Sequence, residues 1–383
     1  MTSRLFTSSE AVLRVERSSM RVQQPASSDD MISLAMGEPD FDTPPRIIQA
    51  AVDALQNGFT HYAPLLGDKA LCQALADEVS AQSGNPVKAG EVLVTHGGTA
   101  GLAAAILSIV NPGDRVVIPD PTYSLYADLV NMAGGICVPM PCRSDLHWDF
   151  ERLDKALEGA KLFVFCNPGN PTGIVHSRDE IETLGRLVNR HDTLVIADEA
   201  YSDLVFTDHP FTSVLQLPAF AGRTLFCQTF SKSYAMTGWR IGYLAGPVEM
   251  IAAAARVHNT VNGSVNSAVQ RAALVALTEC KDDVKRMYDV YRQRRLLMMQ
   301  GLETIPELTL NKPEGAFYCF PSYSLPIPAI DMVALLREQG IAVRPGSEFG
   351  VAGEGHLRLS YAASSEAISE GIRRLKRGLA SLK

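Results

Sequence analysis

Residues 224–243 read TLFCQTFSKSYAMTGWRIGY. The opening run, Thr224–Phe230, is short and almost wholly apolar, which predicts a buried strand. Lys232 stands just past its end beside Ser231, and Arg240 follows within the same stretch. In α/β folds, side chains that do chemistry gather at the carboxyl ends of strands. A lysine held there can attack a carbonyl carbon, and a neighbouring arginine with hydroxyls can clamp a phosphate. A solvated surface lysine is the plainer alternative, so the rest of the chain has to decide.

Outward from this stretch, the sequence between about 45 and 275 alternates helix and strand. Helical patterns cover Arg46–Gly58, Ala70–Ser83, Thr99–Val110, Ser124–Ala133, Phe150–Glu158 and Arg178–His191. Apolar strand patterns cover Val92–His96, Arg115–Pro119, Gly135–Met140, Leu162–Cys166 and Thr193–Ala197. Continuously apolar strands separated by helices predict an α/β fold, with a mostly parallel sheet covered on both faces. Beyond 275 the pattern changes to a long charged helix, Asp282–Thr304, followed by short strands (Gly315–Phe320, Gly340–Val343, His356–Ser360) and helices (Ile330–Gln339, Ser365–Leu382). That predicts a smaller α+β domain. The expected division is 1–44 as an N-terminal arm joining the small domain, 45–275 as the large domain and 276–383 as the small one. Within the arm, a helix around residues 10–20 and a mobile link from Gln23 to Asp30 are expected.

At 383 residues the chain exceeds one ordinary core. Its 35 basic and 42 acidic residues leave a net charge of −7, with no basic excess for nucleic acid or an anionic membrane. The seven cysteines are scattered without a CxxC pair, as expected of free thiols in the cytoplasm. No apolar run is long enough to span a membrane.

Four further constellations bear on chemistry. Asp198 ends the strand Thr193–Ala197, where a buried carboxylate requires a fixed cation. A pyridinium nitrogen would serve, and with the strand-end lysine it points to pyridoxal 5′-phosphate (PLP). No ligand spacing surrounds Asp198, and no metal is expected. The turn NPGNPTG (167–173) places Asn170 where it, together with Tyr201, can donate to an anionic ring oxygen. His96 to Ala100 joins a strand to a helix, a geometry that aims backbone N–H groups at a phosphate; neither GxGxxG nor GxxxxGK[ST] occurs there. Arg358 alternates with apolar residues in HLRLS (356–360), and its fork matches a carboxylate. Gly37 is a loop glycine that lets backbone approach a ligand.

The ordered set HYAP (61–64), GGT (97–99), NPGNPTG (167–173), DEAY (198–201), SKSYAMTGWRIGY (231–243), EGAFY (314–318) and HLRLSYA (356–362) resembles the class I/II aminotransferases. These are fold type I PLP enzymes of the aspartate aminotransferase superfamily. The resemblance implies a large domain with a mostly parallel seven-stranded sheet and a small α+β domain. It implies that Lys232 carries PLP as a Schiff base and moves the proton, that Asp198 pairs with the ring nitrogen, and that Asn170 and Tyr201 contact the ring oxygen. Tyr123 would stack on the ring. Gly98, Thr99, Ala100, Thr229, Ser231 and Arg240 would hold the phosphate. Arg358 would grip the substrate α-carboxylate, assisted by Gly37 and Asn170. The family is usually a homodimer with shared sites, and Tyr62 stands where a hydroxyl reaches the neighbouring subunit's cofactor.

The implied activity moves the amino group of an L-amino acid to a 2-oxo acid in a ping-pong cycle. Lyase, synthase or oxidase chemistry on the same scaffold is the alternative. A cofactor-binding sensor without catalysis would need a helix-turn-helix domain, for which the expected N-terminal arm is too short. One departure bears on substrate. Some aspartate-preferring relatives carry a lysine where this chain has Thr99, and no second arginine is evident, so neutral or aromatic donors are expected to serve at least as well as aspartate.

Overall fold

The apolar runs between Val92 and Ala245 form one sheet of seven strands: β1 (Val92–Thr95), β2 (Arg115–Asp120), β3 (Ile136–Pro141), β4 (Leu162–Cys166), β5 (Leu194–Asp198), β6 (Thr224–Thr229) and β7 (Gly242–Ala245). In this computed structural model, residues 7–15 and 30–382 are described. The spatial order is β1-β7-β6-β5-β4-β2-β3. β7 runs antiparallel to both neighbours, while every other pair is parallel.

The strands are apolar throughout because both faces are buried. Val116, Leu162, Val164, Ile196 and Leu225 enter one core cluster, whereas Val117, Phe163, Phe165, Val195 and Ala197 enter another on the opposite face. Alternate side chains of a strand point to opposite faces, so each strand feeds both cores. Helices such as Gly97–Ile109 and Arg178–Arg190 follow their strands. In the second of these, Ser177 accepts from the Glu180 N–H while Glu180 reaches back to the Ser177 N–H, a reciprocal cap at its start.

The register aligns the strand ends. Cys166 lies beside Asp198, Asp198 beside Cys227, and Thr229 beside Gly242, which in turn pairs with Thr95. The segments after β1, β2, β4, β5 and β6 therefore leave the sheet at one edge.

A second, three-stranded arrangement joins Tyr318–Cys319, Leu357–Ser360 and Arg344–Pro345 in antiparallel pairs. Helices Lys281–Leu302, Ala329–Glu338 and Ser365–Ala380 pack with it. Ile32–Ser33 adds a parallel pairing to Ile341–Ala342 and fastens the N-terminal segment here.

Several expectations need correcting. The strand expected over Gly315–Phe320 is reduced to Tyr318–Cys319. Ala316 has φ +57°, and the N–H groups of Gly315 and Ala316 bond to Gly173 and Leu204 rather than to a strand neighbour. Of the arm helix expected around 10–20, Glu10–Leu13 is helical and residues 16–20 lie outside the described residues. The link over 23–29 lies outside the described residues, but Asp30 is held, its carboxylate 2.7 Å from Arg374. Helices Val248–Asn262 and Ser267–Glu279 occupy a stretch for which the sequence suggested no element.

Candidate active site

Thr229 ends β6, and its side chain accepts the Ser231 N–H at 3.2 Å. That cap turns the chain into the short helix Phe230–Ser233, which carries Lys232 to the sheet edge. Lys232 Nζ donates to the Gly37 carbonyl at 2.6 Å and sits 5.9 Å and 5.7 Å from the ring centres of Tyr201 and Phe317. Burial brings its ammonium down to about 8, with Arg358 and Arg240 adding to the fall against the pull of Glu38.

Asp198 is buried at the end of β5. Tyr126 donates to its Oδ2 at 2.7 Å and the Ala200 N–H to its Oδ1 at 3.2 Å. Burial nonetheless raises its pKa above the usual carboxylate value, with the Tyr126 bond, the Ala200 bond and the Lys232 charge opposing. So desolvated an anion gains from a cation placed against it.

Tyr201 and Tyr318 are both buried, their hydroxyls 3.0 Å apart, and burial pushes both phenols above their ordinary range. Arg358 lies 4.4 Å over the Tyr318 ring. Its Nη1 donates to Asn170 Oδ1 at 3.0 Å and its Nη2 to the Ala35 carbonyl at 2.8 Å. The guanidinium is thus fixed by partners from two other segments. Tyr123 meets Tyr126 edge-on at 5.7 Å.

At the other end lies an anion cradle. Gly97 has φ +76°, and a Cβ added there would come within 2.8 Å of Arg240 Nη2, so only glycine lets the guanidinium lie against this backbone. Gly98, Thr99 and Ala100 form the first turn of the helix Gly97–Ile109, whose N–H groups have no partners within the helix. Thr229 Oγ1 lies 2.9 Å from Ser231 Oγ, and the Thr229 Cβ and methyl face Gly98. Unpaired helix N–H groups, hydroxyls and an arginine at one place suit a phosphate.

Lys232, Asp198, Tyr201, Asn170, Arg358, Gly37, Tyr123, Thr229, Ser231, Arg240 and the turn from Gly98 to Ala100 therefore gather at one edge. Tyr62 does not join them within one chain, being 98% exposed. Tyr126 and Tyr318 were missed as site residues. The first lies three positions after Tyr123 and the second ends the EGAFY motif, and neither position reveals its partner. A second arginine also exists. Arg344 pairs with Arg358 across adjacent antiparallel strands, which puts both side chains on one face. Arg344 is ion-paired with the carboxylate of Glu348.

This is an α/β enzyme of fold type I, with a constellation suited to PLP: a poised amine, a buried carboxylate and an anion cradle that a single Cβ would spoil. The chain matches the family described as aminotransferase class I and II over residues 29–375. It is 37% identical to an aspartate/prephenate aminotransferase of Thermus thermophilus, covering 91% of each chain, and 34% identical to an aspartate aminotransferase of Streptomyces avermitilis, covering 94% of this chain and 91% of that one. Among solved structures, aspartate aminotransferase from Thermus thermophilus with maleate superposes with TM-score 0.88 at 35% identity over 97% of both chains. An aromatic aminotransferase from Pyrococcus horikoshii gives 0.88 at 34% identity, over 92% of this chain and 97% of that one. The protein belongs to the class I and II aminotransferases. Its activity is PLP-dependent transfer of an amino group from an L-amino acid to a 2-oxo acid, and nothing in these relatives supports the lyase, synthase and oxidase alternatives.

Proposed function

We propose that PLP sits at the shared strand edge with Lys232 as its anchor and as the group that moves the substrate proton. Bound there, the cofactor supplies a sink for the electron pair released when the Cα–H bond breaks. The carrying observation is the Lys232 amine, lowered to about 8 by burial and bonded to Gly37. Near neutrality a useful fraction is uncharged, so it can take the Cα proton and return it.

Asp198 would pair with the ring nitrogen, its oxygens kept in place by Tyr126 and Ala200. Asn170 and Tyr201 would contact the ring oxygen, and Tyr123 would stack on the ring. The N–H groups of Gly98, Thr99 and Ala100, the hydroxyls of Thr229 and Ser231, and Arg240 would take the phosphate. Arg358 would grip the α-carboxylate bidentately, beside Asn170 and the Gly37 backbone. Borohydride reduction of the loaded enzyme followed by peptide mapping tests the anchor. The label belongs on Lys232, and a label on another lysine sinks the assignment.

The division into a large domain over 45–275 and a small one over 276–383 with the arm 1–44 fits this arrangement, because Arg358 comes from one part and Lys232 from the other. The working unit is a homodimer in which Tyr62 serves the partner's site. Ile48, Val52 and Leu55, three exposed apolar residues on helix Pro45–Gln56, support a buried contact near Tyr62. The seven free thiols fit the cytoplasm. No helix among the described residues is long and apolar enough to cross a membrane. For the donor, Thr99 and the engagement of Arg344 by Glu348 favour neutral or aromatic amino acids at least as much as aspartate.

A further inference from the structure

Beside the Asn167–Gly173 turn, to which the His176 N–H is joined through Asn167 Oδ1, side-chain donors converge. His147 Nδ1 lies 2.8 Å and His176 Nδ1 3.4 Å from Oε1 of Glu180. The ligand atoms of all three residues fall within 4.8 Å of one another. We propose that His147, His176 and Glu180 bind one divalent transition-metal ion of the zinc class.

The donor set selects the metal. Two imidazole nitrogens and one carboxylate oxygen suit Zn²⁺, Co²⁺ or Ni²⁺, whereas Mg²⁺ and Ca²⁺ require mostly oxygen. Tetrahedral bonds of about 2.0–2.1 Å place neighbouring ligand atoms about 3.3 Å apart, close to the two nitrogen-to-Oε1 spacings of 2.8 and 3.4 Å, while the two histidine ligand atoms lie within 4.8 Å of each other. Three protein ligands leave a position for water.

Each donor is oriented before any ion arrives. The other Glu180 oxygen accepts from Ser177 N–H at 2.8 Å and Ser177 Oγ at 3.0 Å, so Oε1 alone faces the histidines. The His176 ring stacks on Trp148 with centres 3.5 Å apart and planes at 22°, and Trp148 is only 2% exposed. The backbone N–H of His147 is held by Asp145 at 3.1 Å. Preorientation of this kind limits the reorganisation that binding would require.

The surrounding charge favours a cation on balance. Glu314 acts on both histidines, whereas Asp145 and Arg143 form an ion pair whose charges offset each other. The start of helix Arg178–Arg190 opposes a cation there. Access is from the His147 side, whose side chain is 21% exposed against 6% for His176.

Binding replaces the two hydrogen bonds to Glu180 Oε1 by three coordinate bonds, one from each imidazole and one from the carboxylate. Each neutral imidazole moves its Nδ1 proton to Nε2, and a protonated ring also releases one proton to solvent. The ion would link the loop after β3 to the start of the helix, beside the turn that carries Asn170. The His176 N–H already bonds to Asn167 Oδ1 at 3.0 Å, so the effect expected is a clamp on that turn.

The test uses PLP-loaded enzyme freed of metal by chelator and desalted, then given Zn²⁺ or Co²⁺. Expected are one Zn²⁺ retained per chain after gel filtration, a higher Tm, and Co²⁺ absorption of the tetrahedral type without a thiolate charge-transfer band. His147→Ala, at a partly exposed position, and Glu180→Gln should each weaken binding about 10-fold or more and abolish the Tm gain. The proposal is overturned if wild type retains no Zn²⁺, which leaves a hydrogen-bonded cluster only. It is equally overturned if His147→Ala retains as much as wild type, or if the cobalt spectrum shows sulfur ligation, which would assign uptake to the cysteines.

Discussion

The phenol of Tyr126 donates to Oδ2 of Asp198 at 2.7 Å, across 72 positions of sequence. Both groups are buried, and the bond offsets part of the desolvation that raises the Asp198 pKa. Tyr126→Phe removes a hydrogen bond to a charged group, worth about 1.5–3 kcal/mol. PLP affinity should fall roughly 10- to 100-fold, while Asp198→Asn, which cannot keep a proton on the ring nitrogen, should nearly abolish turnover with the fold intact. Cofactor titration followed by fluorescence, and circular dichroism, check both. Near wild-type turnover in Asp198→Asn would defeat the electron-sink assignment.

What was legible in the sequence follows from where each signal lives. Leu162–Cys166 was bounded correctly because its apolar run stops at Lys161 and Asn167. The site residues at strand ends were legible for the same reason, since a strand and its end are local properties. β7 was not marked because Gly242–Ala245 is only four residues long and begins with glycine. The helix Val248–Asn262 was missed because its run of four alanines blurs the apolar stripe. The contacts of Tyr126 and Arg344 depend on how separate elements meet, which no local pattern carries.

Lys232 gives a pH signature. Its folded value is about 8 against an ordinary 10.5, so the folded, cofactor-free protein binds this proton less well than the unfolded chain. The penalty is complete below about 8 and fades as pH rises toward 10.5. Lys232→Met should therefore stabilise the cofactor-free protein at neutral pH, by at most about 3 kcal/mol, with the gain shrinking above the folded value. Denaturant melts at several pH values check this. Trapping of an added aldehyde by borohydride should show a midpoint near 8. An unshifted midpoint would mean that the amine is solvated.

Arg358 holds Asn170 with one nitrogen and Ala35 with the other, which fixes the plane of its fork. Lysine cannot reproduce two parallel bonds to a carboxylate. Arg358→Lys should raise KM for every donor, at about 1–3 kcal/mol in kcat/KM. A loss confined to one donor would assign this arginine to the side-chain pocket instead.

Tyr62 is exposed in the single chain yet expected at the partner's phosphate. Lys232→Ala and Tyr62→Phe proteins should each be defective, and mixing them should restore part of the activity through hybrid dimers if subunits exchange. Sedimentation should show a dimer at assay concentration. An active monomer would contradict shared sites.

Arg344 decides the last prediction. It lies on the face that carries Arg358, so two like charges stand side by side, and Glu348 neutralises one of them. Burial raises the Glu348 pKa while Arg344 and Arg358 hold it down, so the carboxylate is tied to both cations. A substrate's distal carboxylate would have to compete with Glu348 for Arg344, and Thr99 offers it no charge. Neutral or aromatic L-amino acids should accordingly match or exceed aspartate in kcat/KM. Glu348→Gln leaves Arg344 without its counter-ion and should shift the aspartate-to-phenylalanine ratio toward aspartate by about 10-fold, or about 1.4 kcal/mol. A donor panel on both proteins is the measurement. A tenfold preference for aspartate in wild type, about 1.4 kcal/mol, would show that a cation from the partner subunit reaches the pocket.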